Sequence, residues 1–162
     1  MSKPNRGIGD KWIDVCRLLN RGGVEYLVVG GVAMALHGRM RATKDIDVLV
    51  PRDVENMRRL LEALQALPMG LARELTAEAE NEKVITIIGD DPRVDVLKAA
   101  GDLAYSDAVR SKRTATVDGV EIPYVGLREL IRSKRTDRDQ DRVDALELEA
   151  TEAQQAKERK PV

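Results

Sequence analysis

Apolar residues recur along this chain at two periods, and the switches between them mark out an alternation of helices and strands. Between residues 11 and 20, Trp12, Val15, Cys16, Leu18 and Leu19 fall at helical spacing, and Gly22 and Gly23 stop the run. Residues 24–29 (VEYLVV) form a short, mostly apolar and β-branched stretch, read as a buried strand ending at Gly30 and Gly31. Residues 32–36 follow at once as a short buried helix leading to His37 and Gly38. A basic turn then precedes residues 45–50 (DIDVLV), whose alternation predicts a strand closed by Pro51. Arg52 and Asp53 open an amphipathic helix with Val54, Met57, Leu60, Leu61, Leu64 and Leu67 on one side.

The second half continues in the same manner. After a polar stretch, residues 83–88 and 93–97 predict two strands joined as a hairpin by Gly89-Asp90-Asp91-Pro92. Residues 103–110 predict a short helix. Residues 114–117 and 120–125 flank Asp118-Gly119, the strongest hairpin signal in the chain. Gly126 opens a helix through Leu127, Leu130 and Ile131, and a last helix is expected from about residue 136 into the 150s. The expectation is an α/β (α+β) architecture, a mixed β-sheet with flanking helices, in one domain over residues 1–150. A polar tail over residues 151–162 is expected to fray.

Composition narrows the chemistry. A hydrophobic fraction of 43% with 34% charged residues describes a globular protein with a charged surface. Aromatics are only 2%, so the core must be aliphatic, and bases of a single strand would find few rings to stack on. The net charge of -1 argues against a histone-like nucleic-acid coat. Cys16 is the only cysteine and His37 the only histidine, which excludes an intramolecular disulfide, a thiolate zinc cluster and a multi-histidine metal site. The first ten residues lack the apolar run of a signal peptide, and no window approaches a membrane span, so a cytoplasmic location is expected. A Ser-His-Asp triad would depend on His37 alone, so catalysis is expected to run on carboxylates and metal ions.

Asp45 and Asp47 are the centre of that chemistry. Two residues apart in a strand, they project from one face with their backbones about 7 Å apart, while Ile46, Val48 and Val50 face the core. Such a pair stays ionised only with a cation between its members, and magnesium prefers oxygen ligands. Asp95 lies between Val94 and Val96, where an unpaired buried charge costs several kcal/mol. If its strand lies beside that of Asp45, three carboxylates can hold two ions roughly 4 Å apart. An isolated Asp-x-Asp is more often a solvated strand end, but here Gly30 and Gly31 end one strand and begin a helix. Backbone N–H groups there point at an incoming anion with no side chain in the way. Arg39, Arg41 and Lys44 crowd the approach, either as a solvated basic loop or as polyphosphate contacts. His37 is read as a packing or capping residue, and Cys16 as a small core residue.

The stretch YLVVGGVAMALHGRMRATKDIDVLV resembles the signature of the DNA polymerase β-like nucleotidyltransferase superfamily. Within it, the small members grouped with abortive-infection type IV toxins are most similar, through the Gly-Gly pair, the RATKDID run and the later RVDVL. The resemblance covers roughly residues 24–143 and implies the nucleotidyltransferase fold. It implies Gly30 and Gly31 for triphosphate binding, Asp45 and Asp47 as ligands of two Mg2+ (or Mn2+) ions, and Asp95 as a further ligand that helps activate the acceptor hydroxyl. It also implies phosphate contacts from Thr43 and Lys44. Lys134 and Arg138 would approach the nucleotide and Asp141 would orient them, although an ion-paired solvated helix face reads equally well. The family's usual Ser after the first Gly is Gly31 here, so backbone N–H groups would replace a hydroxyl contact.

The implied activity transfers a nucleoside monophosphate from an NTP, ATP among them, to a hydroxyl of an RNA such as tRNA, a protein or a small molecule. A role as the toxin of a toxin–antitoxin pair, with an antitoxin protein as partner, goes with the resemblance. The alternative is a non-catalytic nucleotide-binding or partner-binding module, which need not keep three clustered acids.

Overall fold

The computed structural model describes residues 11–39 and 44–159. In chain order the elements are α1 (Lys11–Arg21), β1 (Leu27–Val29), α2 (Gly30–Leu36), β2 (Ile46–Leu49), α3 (Val54–Leu64) and α4 (Ala77–Asn81). Then come β3 (Ile85–Ile88), β4 (Val94–Leu97), β5 (Ala99–Ala100), β6 (Leu103–Ala104) and α5 (Tyr105–Ala108). The hairpin β7 (Arg113–Val117) and β8 (Val120–Tyr124) precedes α6 (Leu127–Ser133) and α7 (Asp139–Arg159).

Six strands form one sheet in the order β3-β4-β2-β1-β8-β7. The pairs β1–β8 and β2–β4 are parallel and the other three antiparallel, so the sheet is mixed, as the sequence predicts. The β5–β6 pair is a separate small ladder. One face carries Val28, Val48, Val96 and Thr86, all buried. Thr86 donates to Glu80 of α4, α4 packs on α3, and α3 packs on α1, so these three helices layer that face. The opposite face carries Asp47 and Asp95 and receives the C-terminal end of α6. No helix of the described residues is long and apolar enough to cross a membrane.

Local chemistry explains where elements begin and end. Asp53 caps α3 by accepting from the N–H groups of Glu55 at 2.9 Å and Asn56 at 3.3 Å. Strand β1 is shorter than the apolar run because the buried Asn56 amide takes over the main chain of Glu25, accepting at 2.8 Å and donating at 2.9 Å. In the β7–β8 hairpin both turn residues have positive φ, Asp118 at 50° and Gly119 at 76°, the geometry that selects Asp-Gly.

Three expectations need correction. The polar stretch before β3 holds α4 and a 3-10 turn at Leu71–Glu74; the Asp90 carboxylate pins the start of that turn by accepting from Met69 N–H at 2.9 Å and Leu71 N–H at 3.2 Å. The single helix expected over 103–110 is instead β6, α5 and a 3-10 turn at Val109–Ser111. The segment expected to fray from residue 151 continues α7 to Arg159. Its Ala, Glu, Gln and Lys residues are strong helix formers, and it is tied back where Arg128 pairs with Glu152 at 3.4 Å.

Candidate active site

Asp47 is the middle of a cross-sheet row. It pairs in register with Val29 of β1 on one side and with Asp95 of β4 on the other. Directly paired residues share a face of the sheet, so the two carboxylates stand side by side. Valines and isoleucines fix this register: Ile46, Val48, Val94 and Val96 are fully buried, and a one-residue slip of either strand would bury a carboxylate.

Gly30 supplies the floor. Its φ of +67° is one that side chains rarely adopt, and a Cβ there would overlap the Asp47 carboxylate and stand 2.9 Å from its Cγ. Backbone therefore approaches carboxylate at a point where any side chain would be strained and would have to displace Asp47. Gly30 also begins α2, and no side chain caps that helix. A cleft of about 270 Å³ opens over this point, lined on its polar side by Gly30, Asp47, Asp95, Lys134 and Arg138.

The electrostatics are those of crowded anions. Burial, then repulsion from Asp95 and, further off, Asp45, pushes the Asp47 carboxyl up to about 6, against the attraction of Lys134. Asp95 is held by the Arg93 guanidinium, whose Nε donates at 2.8 Å and Nη2 at 3.3 Å to its two oxygens.

The cation on the far wall is positioned from α7. Lys134 ends α6 with its ammonium 3.4 Å from Asp141 and 3.1 Å from Asp144, both on α7 and both buried. The Thr136 hydroxyl donates to Asp141 at 2.6 Å, and Arg138, largely exposed, lies 3.8 Å from the same carboxylate. The Lys, Arg and Asp of the C-terminal pattern therefore meet in one network at the edge of the cleft.

Of the residues singled out from the sequence, the structure brings Gly30, Asp47, Asp95, Lys134, Arg138 and Asp141 to one cleft. Asp45 sits at the bend before β2, close enough to raise Asp47 but outside the lining. Gly31 is the second residue of α2 and Lys44 is exposed ahead of β2, and neither lines the cleft. Arg41 and Thr43 lie outside the described residues. His37 is buried with its Nε2 2.8 Å from the Val125 carbonyl and its ring edge-on to Tyr124, a link between α2 and the end of β8. Burial raises the Cys16 thiol to about 12, which makes it inert.

Sequence reasoning missed Arg93 and Asp144. Arg93 was legible in principle, two residues before Asp95 and so on its face of the strand. Asp144 is three residues after Asp141, the spacing that puts both on one side of a helix.

The donor set suits a hard divalent cation: oxygen only, with two carboxylates abreast, one of them raised by burial and by the charge of the other. Among the described residues no three acidic, His or Cys side chains already form a closed metal cluster, so a bound ion would draw on two carboxylates first.

No protein of curated function matches the chain. In fold it is similar to a crystal structure from Thermotoga maritima, provisionally described as a nucleotidyltransferase. The TM-score is 0.52 at 15% identity, covering 98% of this chain and 100% of the other. The sequence profile of a family described as nucleotidyltransferase of unknown function (DUF6036) matches residues 14–113, from α1 through Asp47 and Asp95 to the start of β7. That match spans more than half of the chain and includes both facing carboxylates, and the protein belongs to this family of nucleotidyltransferases.

Proposed function

We propose that the protein transfers a nucleoside monophosphate from an NTP to an acceptor hydroxyl in a Mg2+-dependent reaction. The observation that carries this is the in-register pair Asp47 and Asp95 beside a glycine whose place a side chain would crowd. Magnesium, or manganese, held by Asp47 and Asp95 with Asp45 nearby, would supply Lewis-acid stabilisation of the charge on the triphosphate. The chain's own groups do the rest. The backbone of Gly30, where α2 opens onto the cleft, would meet the anionic phosphates. Lys134, kept in place by Asp141 and Asp144, offers a cation from the opposite wall, and Arg138 a second at the rim. Asp95, next to Asp47 in the row, would accept the hydroxyl proton as the oxygen attacks the α-phosphorus in line with departing pyrophosphate.

The test is transfer of label from each α-labelled NTP, with Mg2+, to RNA, protein and small-molecule acceptors. The wild type should label one of these, and Asp47→Ala with Asp95→Ala should label it about a hundredfold less or worse. Equal labelling by that variant would show the assignment to be wrong. The toxin role implied by the resemblance would gain support from growth arrest on expression that Asp47→Ala relieves.

A further inference from the structure

The cations around the carboxylate row are held in different ways. Lys134 is locked: its side chain is 12% exposed, and its ammonium sits between two buried carboxylates of α7, Asp141 and Asp144. Leaving that clasp would strand both acids. Arg93 is bound instead to the row itself. Its Nε and Nη2 meet the two oxygens of Asp95 at 2.8 Å and 3.3 Å, a forked pair between residues two apart on the chain. The arginine side chain is 45% exposed and the carboxylate 15%, so the cation lies on the solvent side of the pair and is free to swing.

This fork opposes the chemistry proposed for Asp95. A carboxylate whose charge is met by a guanidinium is a weakened ligand for a divalent cation and a weakened acceptor for a hydroxyl proton. Either role asks Arg93 to let go, and an arginine that leaves one anion needs another. The topology provides a place for it. Strand β1 runs antiparallel to β2 and β4 parallel to it, with Val29, Asp47 and Asp95 in one row. The chain after Val29 and the chain before Asp95 therefore lie on the same side of that row. Gly30 and Arg93 stand there with β2 between them, about 10 Å apart across two strand spacings. Asp45, just ahead of β2, lies at this end too, and the Arg93 charge interacts with Asp45 and Asp47 as well as with Asp95.

We propose that Arg93 is an exchangeable counter-ion: it holds Asp95 in the metal-free protein and passes to the triphosphate when Mg2+–NTP takes that carboxylate. A triphosphate that meets the Gly30 backbone and extends over β2 comes within reach of the Arg93 fork. A planar guanidinium pairs with phosphate oxygens in the same two-pronged way as with a carboxylate.

The inference rests on the nucleotidyl-transfer reading above and adds an order to it. A divalent cation arriving alone has to displace Arg93 and leave it without an anion. The cation and NTP together bring the replacement with them, so each favours the binding of the other. Asp95 is freed for the acceptor hydroxyl only when nucleotide is in place.

The experiment uses the full chain, with Mn2+ in place of Mg2+ and with ATP, GTP, CTP and UTP as probes. Paramagnetic resonance of free Mn2+ measures its binding to the protein alone, and calorimetry measures binding of each preformed Mn2+–NTP. Arg93→Gln removes the charge; Arg93→Lys keeps the charge and loses the fork. Thermal melts check that both fold, as expected for an exposed pair. The expected result is a pair of opposite shifts. Arg93→Gln should bind Mn2+ alone about fivefold more tightly and the preferred Mn2+–NTP about tenfold more weakly. Arg93→Lys should fall between it and the wild type in both. A static counter-ion would move both affinities of Arg93→Gln upward, and a purely structural pair would move neither. Mn2+ alone bound no more tightly by Arg93→Gln, or Mn2+–NTP bound no more weakly, would overturn the inference and leave the nucleotidyl-transfer reading standing. A wild type that binds none of the four Mn2+–NTP probes would overturn both.

Discussion

Asp47 carries the electrostatic tension of the site, and its consequences are measurable without knowing any substrate. Because burial and the charge of Asp95 raise its carboxyl to about 6, the folded protein binds a proton there that the unfolded chain has released. Between the usual carboxylate range and about pH 6, the native state thus holds more protons, and stability falls as pH rises through that window. Above it the penalty stays in full. Asp47→Asn removes the titration, so the metal-free variant should be more stable than the wild type at pH 7.5, by about 3–6 °C in melting temperature, and the difference should vanish near pH 4. Magnesium should raise the melting temperature of the wild type and leave the variant nearly unmoved, since a cation relieves the same repulsion. Thermal melts at several pH values with and without Mg2+ decide it. A wild type whose stability rises from pH 4 to 6 more steeply than that of the variant would contradict this account. His37 shows the opposite case: its lone status invites a catalytic reading, yet burial lowers it and the Val125 carbonyl occupies its Nε2.

At the scale of elements, the joint between α6 and α7 is where structure adds most to sequence. The Lys…Arg-x-x-Asp pattern was visible as spacing, but it could not distinguish a solvated face from a buried clasp. The difference lies in burial, with Asp141 and Asp144 withdrawn from water and Lys134 between them. Removing one partner of a buried pair strands the other charge, whereas an exposed pair contributes little. Lys134→Ala should therefore cost about 3 kcal/mol in urea unfolding, and Arg138→Ala, exposed at the rim, less than about 0.5 kcal/mol. Comparable losses from both would mean that the clasp is not what joins these helices. The elements that were legible share a cause: α1, α3 and both hairpins repeat their pattern for long enough to declare a period, or carry explicit turn chemistry such as Asp118-Gly119. Those that were not, α4, α5 and β5–β6, are one turn or two residues long and rest on alanines such as Ala77, Ala100 and Ala108, which show no contrast.

Across the whole molecule, sequence reading reached the mixed sheet but not its order, because pairing between distant strands leaves no local trace. Asp47 announces one half of the candidate site, and only the parallel register of β2 with β4 decides that Asp95 stands beside it. The same holds for β8, which follows the family-matched residues 14–113 yet inserts between β7 and β1. A chain ending at residue 113 would leave β1 as an edge and expose faces that Ile122, Tyr124, Leu130 and Leu148 now cover. It should show no cooperative thermal transition. A chain ending at residue 150 is a sharper comparison. Leu148 is the last buried residue of α7, and Asp141 and Asp144 precede it, so the outer turns to Arg159 bury nothing further. Their helix is held by surface pairs such as Arg128 with Glu152, worth at most about 1 kcal/mol. Truncation after Ala150 should accordingly lower the melting temperature by no more than about 4 °C and leave Mg2+–NTP binding intact. A drop several times larger would place a structural role in the outer half of α7 that its exposure gives no reason to expect.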